Sequence, residues 1–172
     1  MDYQHIIKSL EANKTIFESL LKGLTEQEYR WKQNPNKWCA LEIICHLHDE
    51  EREDFRARVK HVLETPNSPM LPINPVGWVT ERKYIELDFE SALTAFIHER
   101  EYSIEWLKSL HNPKWDNAFH HPKFGALSAK FFLTNWLAHD YLHIRQITRL
   151  KYDYLADMSG INIDYAGTWV LQ

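Results

Sequence analysis

The sequence predicts an all-α fold, a four-helix bundle with a long connection between its second and third helices. Two observations point there. Apolar residues recur at helical spacing over long segments, and no stretch of similar length alternates as a half-buried strand would. The segment Glu64 to Tyr84 breaks the pattern with Pro66, Pro69, Pro72 and Pro75. A link of that length suits a bundle whose middle helices are joined by a crossover.

The first helix is expected from Tyr3 to Leu24, with Tyr3, Ile6, Leu10, Phe17, Leu20 and Leu24 on one face and Asn13 interrupting it. Gly23 and Thr25 mark its end, and TEQE opens a short extra turn. The second helix follows the turn QNPNK and runs from Cys39 to Leu63, with Leu41, Ile44, His48, Phe55, Val59 and Val62 as its stripe. Asp88 caps the third, Phe89 to Leu110, whose stripe is Phe89, Leu93, Phe96, Ile104 and Leu107, with Arg100 among them. HNPKWDNAFHHPKFG reads as a loop. The fourth helix spans Ala126 to Lys151, and the aromatic tail from Tyr152 to Val170 is expected to pack back on the bundle.

At 172 residues the chain suits a single domain over residues 1–172. With 44% hydrophobic and 26% charged residues it reads as an ordinary globular chain rather than a disordered one. A net charge of −4 with no basic block argues against a nucleic-acid partner. No run approaches the ~18–20 apolar residues of a membrane span. The start MDYQHIIKSLEANK lacks the layout of a signal peptide, so a cytoplasmic location is expected. Cys39 and Cys45 point to different sides of one helix, so they are expected as free thiols.

Ten histidines are a compositional oddity. In HDYLHIRQ, His139 and His143 lie one turn apart, on the inward stripe of Phe132, Trp136, Ile147 and Leu150. Two imidazoles at i and i+4 can approach one point, as in a metal site. A buried histidine is more often a neutral residue hydrogen-bonded to a neighbour, so a third ligand from another helix is needed. The second helix offers His46 and His48, which point to nearly opposite sides. Periodicity favours His48, in the apolar stripe. His46 shares a face with Glu42, Asp49, Glu50 and Glu53, either a solvated charge run or carboxylates able to orient an imidazole.

WCALEIICHLHDEE, Trp38 to Glu51, resembles the second-helix signature of the DinB/YfiT-like family through Trp38, Glu42, His46 and Leu47. HDYLHIRQITRLKY resembles that family's final-helix motif, with His139, His143 and Gln146 in place. The resemblance implies a bundle of the DinB/YfiT type and a divalent metal (Zn, Ni or Fe) held by His46, His139 and His143. It implies a hydrolase or a transferase acting with a low-molecular-weight thiol on a small-molecule substrate; a non-catalytic bundle stapled by its ion is the alternative. It also extends to this chain the family's tendency to form homodimers. Cys39 stands where the family usually has Ser, which predicts a weaker helix cap or one shifted toward Asn36 or Lys37.

Glu50, Glu42 and Asp140 are the carboxylates placed for acid or base work, each against the simpler reading of a surface carboxylate. Gln146, one turn beyond His143, orients a ligand or caps the core. Arg100 greets an anionic substrate or snorkels at the bundle end. His121 is a further candidate to line the site.

Overall fold

The helices form where the periodicity places them, and their ends are set by caps. A computed structural model describes residues 3–167 and 169. Helix α1 covers Tyr3–Leu21 and the short α2 Glu26–Arg30, where Thr25 and Glu28 form a capping box. Helix α3, Ala40–Asp49, runs into a π-helical segment, Glu50–Phe55, and on into α4, Arg56–Glu64. The proline-rich link carries α5, Pro75–Glu81, and a 3₁₀ turn at Tyr84–Glu86. Helix α6 is Phe89–Ser109, and Asp88 caps it as expected by accepting from the Ser91 amide at 2.8 Å.

The loop before the last helix departs from expectation. It folds into a hairpin of β1, Ala118–His121, and β2, Gly125–Ser128, paired antiparallel from Ala118↔Ser128 to His121↔Gly125. Helix α7 therefore starts late, at Ala129, and runs to Ser159. Ser128 caps it, accepting from the Phe131 amide at 3.2 Å. Gly160 ends it at φ +63°, a conformation that costs a glycine nothing. Of the tail, Trp169 packs its ring on Tyr152 with centroids 5.3 Å apart. Val170 lies outside the described residues.

Helix α1 packs on α6 and α7, α3 on α6 and α7, and α4 on α7. The apolar core forms in two halves. One gathers Phe17, Leu21, Leu41, Ile44, Phe89 and Phe96; the other Ile7, Leu10, Val59, Ile104, Leu133 and Trp136. A buried polar layer includes Asn13, Glu51, Arg100 and Asp140. The Arg100 guanidinium donates to Glu51 at 2.8 and 2.8 Å, to Asp140 at 2.6 and 2.7 Å and to the Leu10 carbonyl at 3.2 Å. Glu51 also accepts from Trp136 Nε1 at 2.9 Å, and Asp140 from Asn13 at 3.0 Å. The layer fixes the rotation of α7 against α3 and α6. Among the described residues no helix is long and apolar enough to cross a membrane.

Candidate metal centre

Three imidazoles from α3 and α7 converge. His139 Nε2 lies 3.3 Å from His46 Nε2 and 3.1 Å from His143 Nε2, and one ligand atom from each falls within 4.8 Å of the others. His46 and His143 are buried and His139 half-buried. The Trp38 ring stands 4.8 Å from that of His46, and Phe55 4.9 Å from His139. These aromatic rings wall one side of His46 and His139.

Burial, reinforced by the neighbouring rings, pushes His46 down to about 3 and His139 to about 2. Burial takes His143 to about 4, against the pull of Gln146. All three are therefore neutral at neutral pH and keep a lone pair. Three neutral rings meeting through their Nε2 atoms cannot all be satisfied by each other, because each ring has one donor and one acceptor nitrogen. His46 Nδ1 and His143 Nδ1 are buried without a hydrogen-bond partner of good geometry. A cation resolves the conflict: it takes Nε2 lone pairs and leaves the proton on Nδ1. On His46 that proton would be drawn to the Pro75 carbonyl, on His143 to Gln146. Metal–nitrogen bonds of ~2.0–2.1 Å at tetrahedral angles separate neighbouring nitrogens by ~3.3 Å, the spacing found here on two sides. The residues fit a divalent ion, and an imidazole set suits Zn, Ni, Fe or Cu.

The cluster opens on one side. His139 lines a cavity of about 680 Å³ with Phe55, Phe124, Phe131, Phe132 and Leu142. His121 lines the same cavity from the hairpin, its Nδ1 accepting from the Lys123 and Phe124 amides at 3.0 and 3.2 Å. Asp54 and Arg58, an ion pair, complete the wall. Glu50 is buried behind them, and burial together with the Asp54 charge pushes its carboxyl well above the usual range. Burial raises the Asp54 carboxyl as well, so both members of this pair are pushed toward the protonated form.

The other candidates lie elsewhere. His48 is not in the cluster. It pairs with Asp49 at 3.4 Å and lines a separate cavity with Arg82 and Tyr84. The wheel favoured it for two reasons that the structure removes. Every residue from Ala40 to Leu47 is buried, so α3 has no single inward face. The π segment, with its i→i+5 ladder, shifts the phase between His48 and the Phe55–Val59–Val62 stripe. Arg100 neither greets an anion nor snorkels. It is 1% exposed, with all its donors taken by Glu51, Asp140 and Leu10. Asp140 is spent on Arg100 and Asn13, and Glu42 on Lys32 at 2.7 Å and the Cys39 amide at 2.9 Å. That last bond keeps the α3 cap at Cys39, with no shift toward Asn36 or Lys37: the carboxylate closes the cap that a thiol holds weakly. Both cysteines are free, and burial raises Cys39 to about 11 and Cys45 to about 12, so neither is a ready nucleophile. Sequence reasoning missed Asp54, Arg58, Phe55 and the hairpin. The motif around Trp38 and His46 was the one signal that placed the third ring.

The family model of the DinB superfamily matches residues 9–147. Among solved structures the chain is similar to YfiT from Bacillus subtilis, described as a probable metal-dependent hydrolase with an unusual four-helix bundle topology. The TM-score is 0.76 at 17% identity, covering 93% of this chain and 89% of that one. No curated protein matches it in sequence.

Proposed function

The chain belongs to the DinB superfamily, and from that premise we propose that it is a metal-dependent hydrolase whose ion is held by His46, His139 and His143. The observation that carries the reading is the open side of the cluster: three protein ligands, one of them walling a cavity large enough for a small organic substrate. A purely structural ion would be closed in by a fourth protein ligand, and among the described residues no such group joins the three. The likeness to YfiT supports the same class.

When bound, an ion with three neutral ligands keeps its full charge and open positions, and supplies Lewis acidity and an activated water. The chain's own residues do the rest. Trp38 and Phe55 pack against His46 and His139, and Gln146 orients His143. Asp54 lines the cavity with Glu50 buried behind it, and their raised carboxyls stand where a leaving group would need a proton.

Elemental analysis of purified protein is the first test. The wild type should carry a divalent metal stoichiometrically, His48→Ala should keep it and His46→Ala should lose it. Metal-loaded protein is then assayed on esters, amides and thiol conjugates. Turnover that survives His139→Ala undiminished would remove the centre from the reaction. Full metal content with no turnover, and a melting temperature that chelation lowers, would leave the ion as a staple.

A further inference from the structure

A second cavity, of about 490 Å³, is lined by residues that pack against two of the three rings. It touches the centre twice, through Trp38 against His46 and through Gln146 beside His143. Leu142 lines both cavities, so the two are neighbours along α7. Their walls differ in charge. Around the His139 cavity Arg58 is cancelled by Asp54. Around the second, Arg149 is held by Asp153 at 2.8 Å, which leaves Lys37 and Arg145 uncancelled. Neither forms an ion pair with a described carboxylate. The cavity lined by Arg82 and Tyr84 instead carries Asp49, Glu53 and Asp88 against Arg52 and Arg82. In a chain of net charge −4, uncancelled positive charge thus lines a cavity whose wall residues Trp38 and Gln146 contact two of the histidines.

We infer that Lys37, Arg145 and Gln146 form an oxyanion subsite, and that the substrate of the three-histidine centre is an organic anion whose carboxylate or phosphate rests there. The identity of the reaction rests on the hydrolase reading above; the subsite does not. A guanidinium and an ammonium lining one cavity recognise an oxyanion through charge-assisted hydrogen bonds. The apolar, charge-neutral cavity beyond Leu142 takes the uncharged part of the molecule.

The test uses full-length protein labelled with 5-fluorotryptophan, its Trp38 resonance assigned with Trp38→Phe. Succinate and inorganic phosphate are titrated separately and followed by ¹⁹F NMR. A saturable shift of Trp38 is expected with at least one of them, and whichever binds names the group. Both basic side chains are exposed, so the double variant Lys37→Ala/Arg145→Ala should fold, and it should bind about tenfold or more weakly, the loss expected for a charge-assisted contact. In parallel, a nitrophenyl ester bearing a carboxylate should be preferred over its neutral counterpart in kcat/KM, and the double variant should lose that preference. If neither ester turns over, the hydrolase reading suffers while the titration still decides the subsite. No saturable shift with either anion, or the same shift in the double variant, overturns it.

Discussion

Two buried polar clusters adjoin in this bundle, and they are built on opposite lines. Around Arg100 every polar atom is matched: all five guanidinium N–H groups have acceptors, and both carboxylates take additional donors. One residue earlier on α7, His139 faces two other neutral rings, and no placement of protons satisfies all three Nε2 atoms that meet there. A satisfied buried network specifies one packing of the helices; an unsatisfied one costs stability unless something else completes it. The first cluster therefore belongs to the fold, and the second has the chemistry of a ligand site.

That contrast is broken most severely by removing its satisfied half. Arg100→Ala leaves Glu51 and Asp140 buried without their cation. Losing one partner of such a pair costs about 3–5 kcal/mol, which for a chain of this size lowers the melting temperature by roughly 10 °C or more. Thermal or urea unfolding measures it. A variant that melts within a degree or two of wild type would mean that the carboxylates find other partners and the network does not hold the fold.

The unsatisfied half should behave inversely. His139→Ala removes a neutral ring from a crowded, half-satisfied cluster, so the metal-free protein should melt within a few degrees of wild type. Metal at a hundred times its dissociation constant should stabilise the wild type by about 2.7 kcal/mol, roughly 5–10 °C, and leave the variant unmoved. Scanning calorimetry with and without chelator separates the two. An equal metal-induced rise in both proteins would place the ion elsewhere.

The same contrast explains what could be read in the sequence. His139 and His143 were legible because α7 is long, amphipathic and regular, so i and i+4 fix a shared face. His46 was not legible from periodicity, since α3 is buried all round and the π turn breaks the phase; it came through the resemblance of the motif around Trp38. Arg100 was legible as inward-facing, but a wheel gives direction and not partners, and Glu51 and Asp140 arrive from other helices. The hairpin escaped because strands of four residues with largely uncovered faces leave no alternation to see.

A smaller effect distinguishes the two consecutive acidic groups at the start of the π segment. Burial alone would raise Asp49, but hydrogen bonds from His48, from Tyr84 at 2.5 Å and from Arg82 more than offset it and bring it down to about 2. A carboxyl lowered on folding stabilises the fold above its unfolded value near 3.8, and that contribution disappears as the pH falls from about 4 to about 2. It amounts to about 2 kcal/mol. Glu50 has the opposite sign. Its raised carboxyl favours the fold at low pH and loses that advantage as the pH climbs above the ordinary glutamate range. Asp49→Asn should therefore flatten the acid limb of the stability profile below about 4, and Glu50→Gln the limb from about 4.5 up to about 9. A single profile shared by both variants would show that neither group carries the shift.

The smallest effect concerns the start of α3, which delivers His46. Cys39 occupies the cap position, and the Glu42 carboxylate, accepting from its amide at 2.9 Å, forms the stronger arm of the box. Serine there supplies a better acceptor for the Glu42 amide, so Cys39→Ser should add a few tenths to about 1 kcal/mol. Cys39 is also 0% exposed, and exchanging sulfur for a smaller, more polar oxygen inside the core works against that gain. The sign of the change in melting temperature decides which term wins, and a rise is expected because the hydroxyl is satisfied by the cap it closes. A fall of several degrees would mean that packing around the thiol, not the cap, sets how firmly this end of α3 is held.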